Sequence, residues 1–266
     1  ESEDDWTDLI AMLRIMGIPA LNGTLTSANG FTNNATIELT SSGAATAATL
    51  TVTAGTLVNA PGAQVNSLAG SAGGRNLNAQ LDNQGTVNIS QNTTTNRTSV
   101  DHVNSGTINV TGGNYTIILS GTTPTFTTNG AINVAATRTL TLQGNISGGA
   151  GLDYFYNGGT LGGAGTVALL NSTLNLNAGL ATSMAHLDGT TSIVAGPSTL
   201  TVSAGTTVPM SSCTISAPTV VEAGGTLQLP PRNFTIDLTY NDNSAIATDS
   251  TRITASVAVG TSSGTQ

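Results

Sequence analysis

The side chains best spaced to act as a catalytic pair are Asp82 and Asp101-His102, which lie 19 residues apart. Glycosidic hydrolysis needs two carboxylates flanking the scissile bond, about 5–9.5 Å apart, and elimination from a uronate needs a base beside a metal-bound acid. In a chain that repeats at close to this interval, Asp82 and Asp101 would stack on successive turns with a histidine beside them. A second cluster, Asp153-Tyr154-Phe155-Tyr156, packs three of the eight Phe and Tyr residues into four positions. Asp153, Tyr154 and Tyr156 there read as a ligand-binding platform, in which rings stack on a sugar and the carboxylate accepts from its hydroxyls. His186-Leu187-Asp188 puts two polar groups on one side of a strand. Asp237, Asp242 and Asp249 are hard oxygen ligands of the kind that suit Ca²⁺, but their spacing matches no calcium loop. Each of these has a plainer reading as well, as solvent-facing bends or a loop and edge-covering aromatic cluster.

The supply of chemistry beyond these is thin. Outside the acidic opening Glu1-Ser2-Glu3-Asp4-Asp5 the carboxylates are isolated, and there is no lysine. Only 8% of residues are charged and the net charge is -8, whereas an ordinary soluble domain is about a quarter charged. The six arginines are too scattered to neutralise phosphate, so neither nucleic acid nor membrane insertion is expected. One cysteine, Cys213, forms no intramolecular disulfide and no cysteine-based zinc site; it is expected to face inward. No apolar run approaches the roughly 18 residues of a membrane span. No cofactor and no metal site is read from the residues.

What must position these groups is a set of short strands. Thr49-Leu50-Thr51-Val52-Thr53, Thr86-Val87-Asn88-Ile89, Thr107-Ile108-Asn109-Val110 and Leu174-Asn175-Leu176-Asn177 alternate apolar and polar residues at period two, the pattern of a half-buried strand. The phrase Gly-Thr-aliphatic recurs from Gly23-Thr24-Leu25 to Gly225-Thr226-Leu227. Its two closest copies, Asn83-Gln84-Gly85-Thr86-Val87-Asn88-Ile89 and Asn104-Ser105-Gly106-Thr107-Ile108-Asn109-Val110, are 21 residues apart, and Asn129-Gly130-Ala131-Ile132-Asn133-Val134 follows 24 later. Periods of twenty-odd residues mean a solenoid. The fold class predicted is therefore all-β, a parallel β-helix over residues 20–229. Inward Val87, Ile89, Ile108, Val110, Ile132 and Val134 would form rows, glycines would supply the φ > 0 bends, and stacked asparagines could form amide ladders at the corners.

The two ends read differently. Trp6, Leu9, Ile10, Leu13 and Met16 fall at helical spacing behind a Ser2/Asp5 cap, which predicts a short α-helix within residues 1–19 that covers the open end of the solenoid. After Pro230-Pro231, residues 230–266 predict a β-hairpin tail, either packed on the last turn or opening an Ig-like module.

The repeated phrases at 83–89 and 104–110, together with Asn157-Gly158-Gly159-Thr160-Leu161-Gly162-Gly163-Ala164-Gly165-Thr166-Val167, resemble the β-strand repeats of bacterial large surface proteins, the autotransporter passengers and two-partner-secreted filamentous adhesins. That resemblance runs over about three-quarters of the chain, residues 21–229. It implies an extracellular or cell-surface, non-catalytic structural or adhesive module whose partners are glycans, other surface proteins or copies of itself. The competing expectations are a carbohydrate-active enzyme of the β-helix class and an ice-binding or filament-forming subunit. Sequons at Asn88 and Asn109 fall inside predicted strands, where a glycan would clash with the stack.

Overall fold

A computed structural model describes residues 12–144, 152–182, 186–211, 213–228 and 235–236. Short runs of alternating aliphatic and small polar residues become strands, and each strand is too short to bury its apolar side alone. Stacking each on its copy from the previous turn solves this, and the described residues form a parallel β-solenoid with three strand faces.

The first face is a sheet of β1 (Met12–Gly17), β4 (Thr36–Ser41), β6 (Gln64–Ser67), β8 (Thr86–Ile89), β11 (Thr107–Val110), β14 (Ala131–Val134) and β17 (Thr160–Gly162), all paired in parallel. The second face carries β2 (Gly23–Ser27), the start of β5 (Ala48–Asn59) and of β7 (Arg75–Asn83), then β9 (Thr93–Thr98), β12 (Tyr115–Ser120), β15 (Thr139–Gln143), β18 (Thr166–Leu170) and β21 (His186–Thr190). The third carries β3 (Phe31–Asn33), the ends of β5 and β7, β10 (Asp101–Asn104), β13 (Thr125–Thr128), β16 (Leu152–Tyr156), β19 (Ser172–Leu176) and β22 (Ile193–Ala195). One strand from each face makes a rung, so β1–β3 are the first rung, β4 with β5 the second, β6 with β7 the third and β8–β10 the fourth. Thr36, Gln64, Thr86, Thr107 and Ala131 are in register, so the turns between them take 28, 22, 21 and 24 residues.

The core is the set of inward rows. Ile37, Val65, Val87, Ile108, Ile132 and Leu161 stack in one, and Ile89, Val110 and Val134 lie in the next, all buried. Val87, Ile89, Ile108, Val110, Ile132 and Val134 are the positions the alternating sequence assigned to the interior; Ile37, Val65 and Leu161 extend their row. Two asparagine ladders run along the stack. Inside, Asn33, Asn59, Asn83 and Asn104 each donate to the next residue of the row at 2.7–3.1 Å, ending on the Thr128 hydroxyl. Asn59 and Asn83 donate as well to the carbonyls of Thr86 and Thr107. Outside, on the first face, the ladder runs the other way: Asn88, Asn109 and Asn133 each donate to the preceding residue of the row, Asn66, Asn88 and Asn109, at 2.9–3.0 Å. The amides of Asn88 and Asn109, both sequon residues, are thus engaged within the wall.

The repeated glycine serves close packing more than an unusual φ. Gly106 does not lie in the positive-φ region, but a Cβ there would collide with the Gly85 carbonyl of the preceding turn. Arg75 is fully buried where β7 begins, and its guanidinium donates to the carbonyls of Leu68, Ala69, Gly73 and Gly74 at 2.9–3.2 Å, which organises the preceding loop.

The N-terminal end departs from the sequence expectation. The cap helix is not supported: Met12–Gly17, within its range, is strand β1, paired along six positions with β4. Leu13, Ile15 and Gly17 also alternate with Met12, Arg14 and Met16, and this period wins because pairing satisfies the backbone, buries Ile15 and sets Arg14 Nε on Glu38 at 2.7 Å. Residues 1–11, the rest of that helix, lie outside the described residues. At the other end, β28 (Thr235–Ile236) pairs in parallel with β25 (Thr214–Ile215) and so continues the third face. The remainder of the expected hairpin in 230–266 lies outside the described residues.

Candidate functional site

Strand parity decides where each chemically interesting side chain points, because successive residues face opposite sides of the sheet. On the third face the outward residues form two columns. Asp82, Val103, Thr127, Phe155 and Asn175 make one, and Asp101, Thr125, Asp153, Thr173 and Ile193 make the other. The inward column between them is His102, Phe126, Tyr154 and Leu174, and next to it run Asn104, Thr128, Tyr156 and Leu176.

This arrangement splits the aromatic cluster. Asp153 lies on the wall, where its Oδ1 accepts from Asn175 Nδ2 at 3.2 Å, while Tyr154 and Tyr156 are core residues at 1% and 2% exposure. Tyr154 donates to the Ile117 carbonyl at 3.1 Å and packs its ring 5.7 Å from that of Phe126; Tyr156 donates to the Gly159 carbonyl at 3.0 Å. Burial pushes the Tyr154 hydroxyl well above its ordinary range. Neither ring offers a face to a sugar, so Asp153, Tyr154 and Tyr156 do not form the expected external platform.

Asp82 and Asp101 do share a face, on adjacent strands, but out of line. Asp82 is in register with Val103, which puts the two carboxylates one strand across and two residues along, about 8 Å between backbones. Each already has a partner. Gln84 donates to Asp82 at 2.8 Å, and Asp101 accepts from both the N–H and the hydroxyl of Thr125 at 3.1 and 2.9 Å. His102 points the other way. It is buried, its Nδ1 accepts the Leu81 N–H at 3.1 Å, and its Nε2 has no hydrogen-bond partner. Burial lowers its pKa to about 4, with Asp101 opposing the shift and Arg97 adding to it. A small void of about 20 Å³ higher in the core is lined by apolar residues such as Leu140, Leu142 and Leu161. Asp188 lies on the second face in register with Ala168, away from these acids. Cys213 is buried as the sequence suggested, its thiol donating to the Gly189 carbonyl.

A different concavity comes from unequal corners between the second and third faces. Three residues, 78–80, separate core positions Leu77 and Leu81 in the third rung. Six (51–56) separate the matching Leu50 and Leu57 in the second, and six (96–101) separate Thr95 and His102 in the fourth. The third rung is therefore recessed between two protruding neighbours. The result is an open groove of about 510 Å³ with Asn78 on its floor, Thr51 and Thr53 on one side and Asn96, Arg97 and Thr98 on the other. Arg97 reaches across it, donating through Nη1 to the Gly55 carbonyl at 2.6 Å and through Nη2 to that of Thr53 at 2.8 Å. No sequence motif marks this groove. Its only signal is a three-residue shortfall in one corner, legible once the register is known.

Among the described residues no three His, Cys, Asp or Glu side chains converge as a metal site, and no helix is long and apolar enough to cross a membrane. Comparison with known proteins finds no matching family model, no matching curated protein and no matching solved structure.

Proposed function

We propose that this chain is a non-catalytic structural or adhesive module of the extracellular space or cell surface, a rigid stalk whose partners are glycans, other surface proteins or copies of itself. The solenoid supports it by spending almost all of its side chains on the stack: apolar rows within, amide and hydroxyl columns without. The observation that carries the reading is the position of His102. The one imidazole beside the Asp82 and Asp101 pair is turned into the core and held neutral, while both carboxylates are engaged by neighbouring side chains or backbone. A general base must come within hydrogen-bond reach of the proton it takes, and a group facing the interior cannot. A wall with no lysine and only 8% charged residues also suits an exposed scaffold that presents hydroxyls and amides.

The test is turnover. Reducing-end and unsaturated-product assays over a panel of uronate-containing and neutral polysaccharides, with and without Ca²⁺, should stay at background, while the same protein immobilised on beads retains a subset of glycans or cells. Turnover abolished by both Asp82→Asn and Asp101→Asn, in variants that melt like the parent, would replace the scaffold with an enzyme.

A further inference from the structure

The groove at the third rung is built unlike the rest of the wall. On the first face the outward asparagines of successive rungs pair side chain to side chain at 2.9–3.0 Å, whereas on the groove floor Asn78 reaches only the Thr51 hydroxyl, at 3.5 Å. In the groove the flanking corners stand two strand spacings apart, about 9.6 Å, because the rung between them falls short. A slot of this width admits a pyranose ring edge-on, and about 510 Å³ is within the range of small-molecule sites, roughly 300–1,000 Å³. Its polar lining is hydroxyls and amides, from Thr51, Thr53, Asn78, Asn96 and Thr98, with a single charge, Arg97. Two of the five guanidinium N–H groups are used on the carbonyls of Gly55 and Thr53, which fixes the fork in place and leaves three donors for something else. A held guanidinium with open donors suits a planar anion.

We propose that this groove binds an acidic sugar, its hydroxyls on the threonine and asparagine side chains and its carboxylate or sulfate on Arg97. The site rests on reading the chain as a surface module and names what that module would hold. Carboxylate and sulfate offer the same chemistry, an anionic oxygen cluster on a polyhydroxylated ring, and the probes separate them.

The experiment uses the full chain, ¹⁵N-labelled, titrated with three disaccharides that differ only at the terminal residue: glucuronic acid, glucose 6-sulfate and glucose. Cross-peaks of residues 51–53, 78 and 96–98, with the Arg97 Nε–H, should shift for one or both acidic probes at least tenfold more tightly than for the neutral one. Arg97→Gln should remove that tenfold preference and leave neutral binding within twofold. Inserting Thr-Ala-Gly after Asn78 lengthens the short corner to match its neighbours and should abolish all three titrations; Asn78→Phe, which blocks the floor without touching the backbone, does the same should the insertion fail to fold. Shifts centred elsewhere, an acid preference that survives Arg97→Gln, or no shifts at all would overturn the site. Product formation is followed in the same samples: binding without turnover supports both readings. Turnover with these shifts overturns the scaffold and keeps the groove, while absence of both overturns the groove and keeps the scaffold.

Discussion

His102 makes the stability of the fold depend on pH in a definite direction. Its imidazole titrates near 6.5 when unfolded and near 4 when folded, so between these values the unfolded chain binds the extra proton. The contribution of the neutral, buried form is complete above about pH 6.5 and is lost as pH falls toward 4. At 1.36 kcal/mol per unit this is about 2.5 kcal/mol by pH 4.5. His102→Phe removes that part and leaves the titration of the carboxylates in place. Urea denaturation at pH 7 and 4.5 should therefore show a smaller loss for the variant than for the parent, by about 2–3 kcal/mol; equal losses would mean another group takes up the proton. The two asparagine ladders separate burial from hydrogen bonding at the same scale. Asn83→Leu leaves the Asn104 side-chain oxygen without its donor and takes one acceptor from the Asn59 amide, which keeps the Thr86 carbonyl, and should cost about 2 kcal/mol. Asn109→Leu interrupts an outer ladder that water can replace, and should cost about 1 kcal/mol or less in the same denaturation experiment.

Strand β11 shows what alternation fixes at the scale of an element. Ile108 has no exposure and sits between Val87 and Ile132, so Ile108→Asp buries an unpaired charge and should cost several kcal/mol, enough to unfold the central turns. Thr107→Asp, one residue earlier on the outward side, should move stability by no more than about 0.5 kcal/mol; thermal melts of the pair check the register directly. This alternation was the legible part of the sequence, since period two and a recurrent Gly-Thr-aliphatic phrase define strand, face and repeat together. The same parity, applied to Asp153-Tyr154-Phe155-Tyr156, separates the rings from the carboxylate. Grouping the aromatics by composition concealed it. The first strand was hidden for another reason: Leu13 and Met16 fit a helical stripe as well as Leu13 and Ile15 fit a strand, and only the presence of β4 as a partner decides between them. The groove was beyond reach because it is a difference between corners, and corners carry no periodic signal.

For the whole molecule, the consequence of in-register stacking is that a turn is a removable unit. Thr86 and Thr107 occupy the same place on successive rungs, so deleting residues 86–106 joins Gly85 to Thr107 and lets β11 pair with β6, β12 with β7, and Thr128 take the amide of Asn83. The shortened chain should keep its β-rich circular dichroism and a cooperative melt. Deleting ten residues from the same segment, which leaves the rung incomplete, should not.

The unequal turn lengths also have a mechanical meaning. Among the described residues β1 pairs only with β4 and β28 only with β25, at opposite ends of the pairing order, so tension applied between these strands peels the described stack from its tips. Turns of 28, 22, 21 and 24 residues then release contour in separate steps of about 70–100 Å, at 3.3–3.6 Å per residue. A solenoid of this kind dissipates a sudden pull as a series of fuses, and an optical-tweezers trace would record the order in which they fail as a ruler of rung lengths.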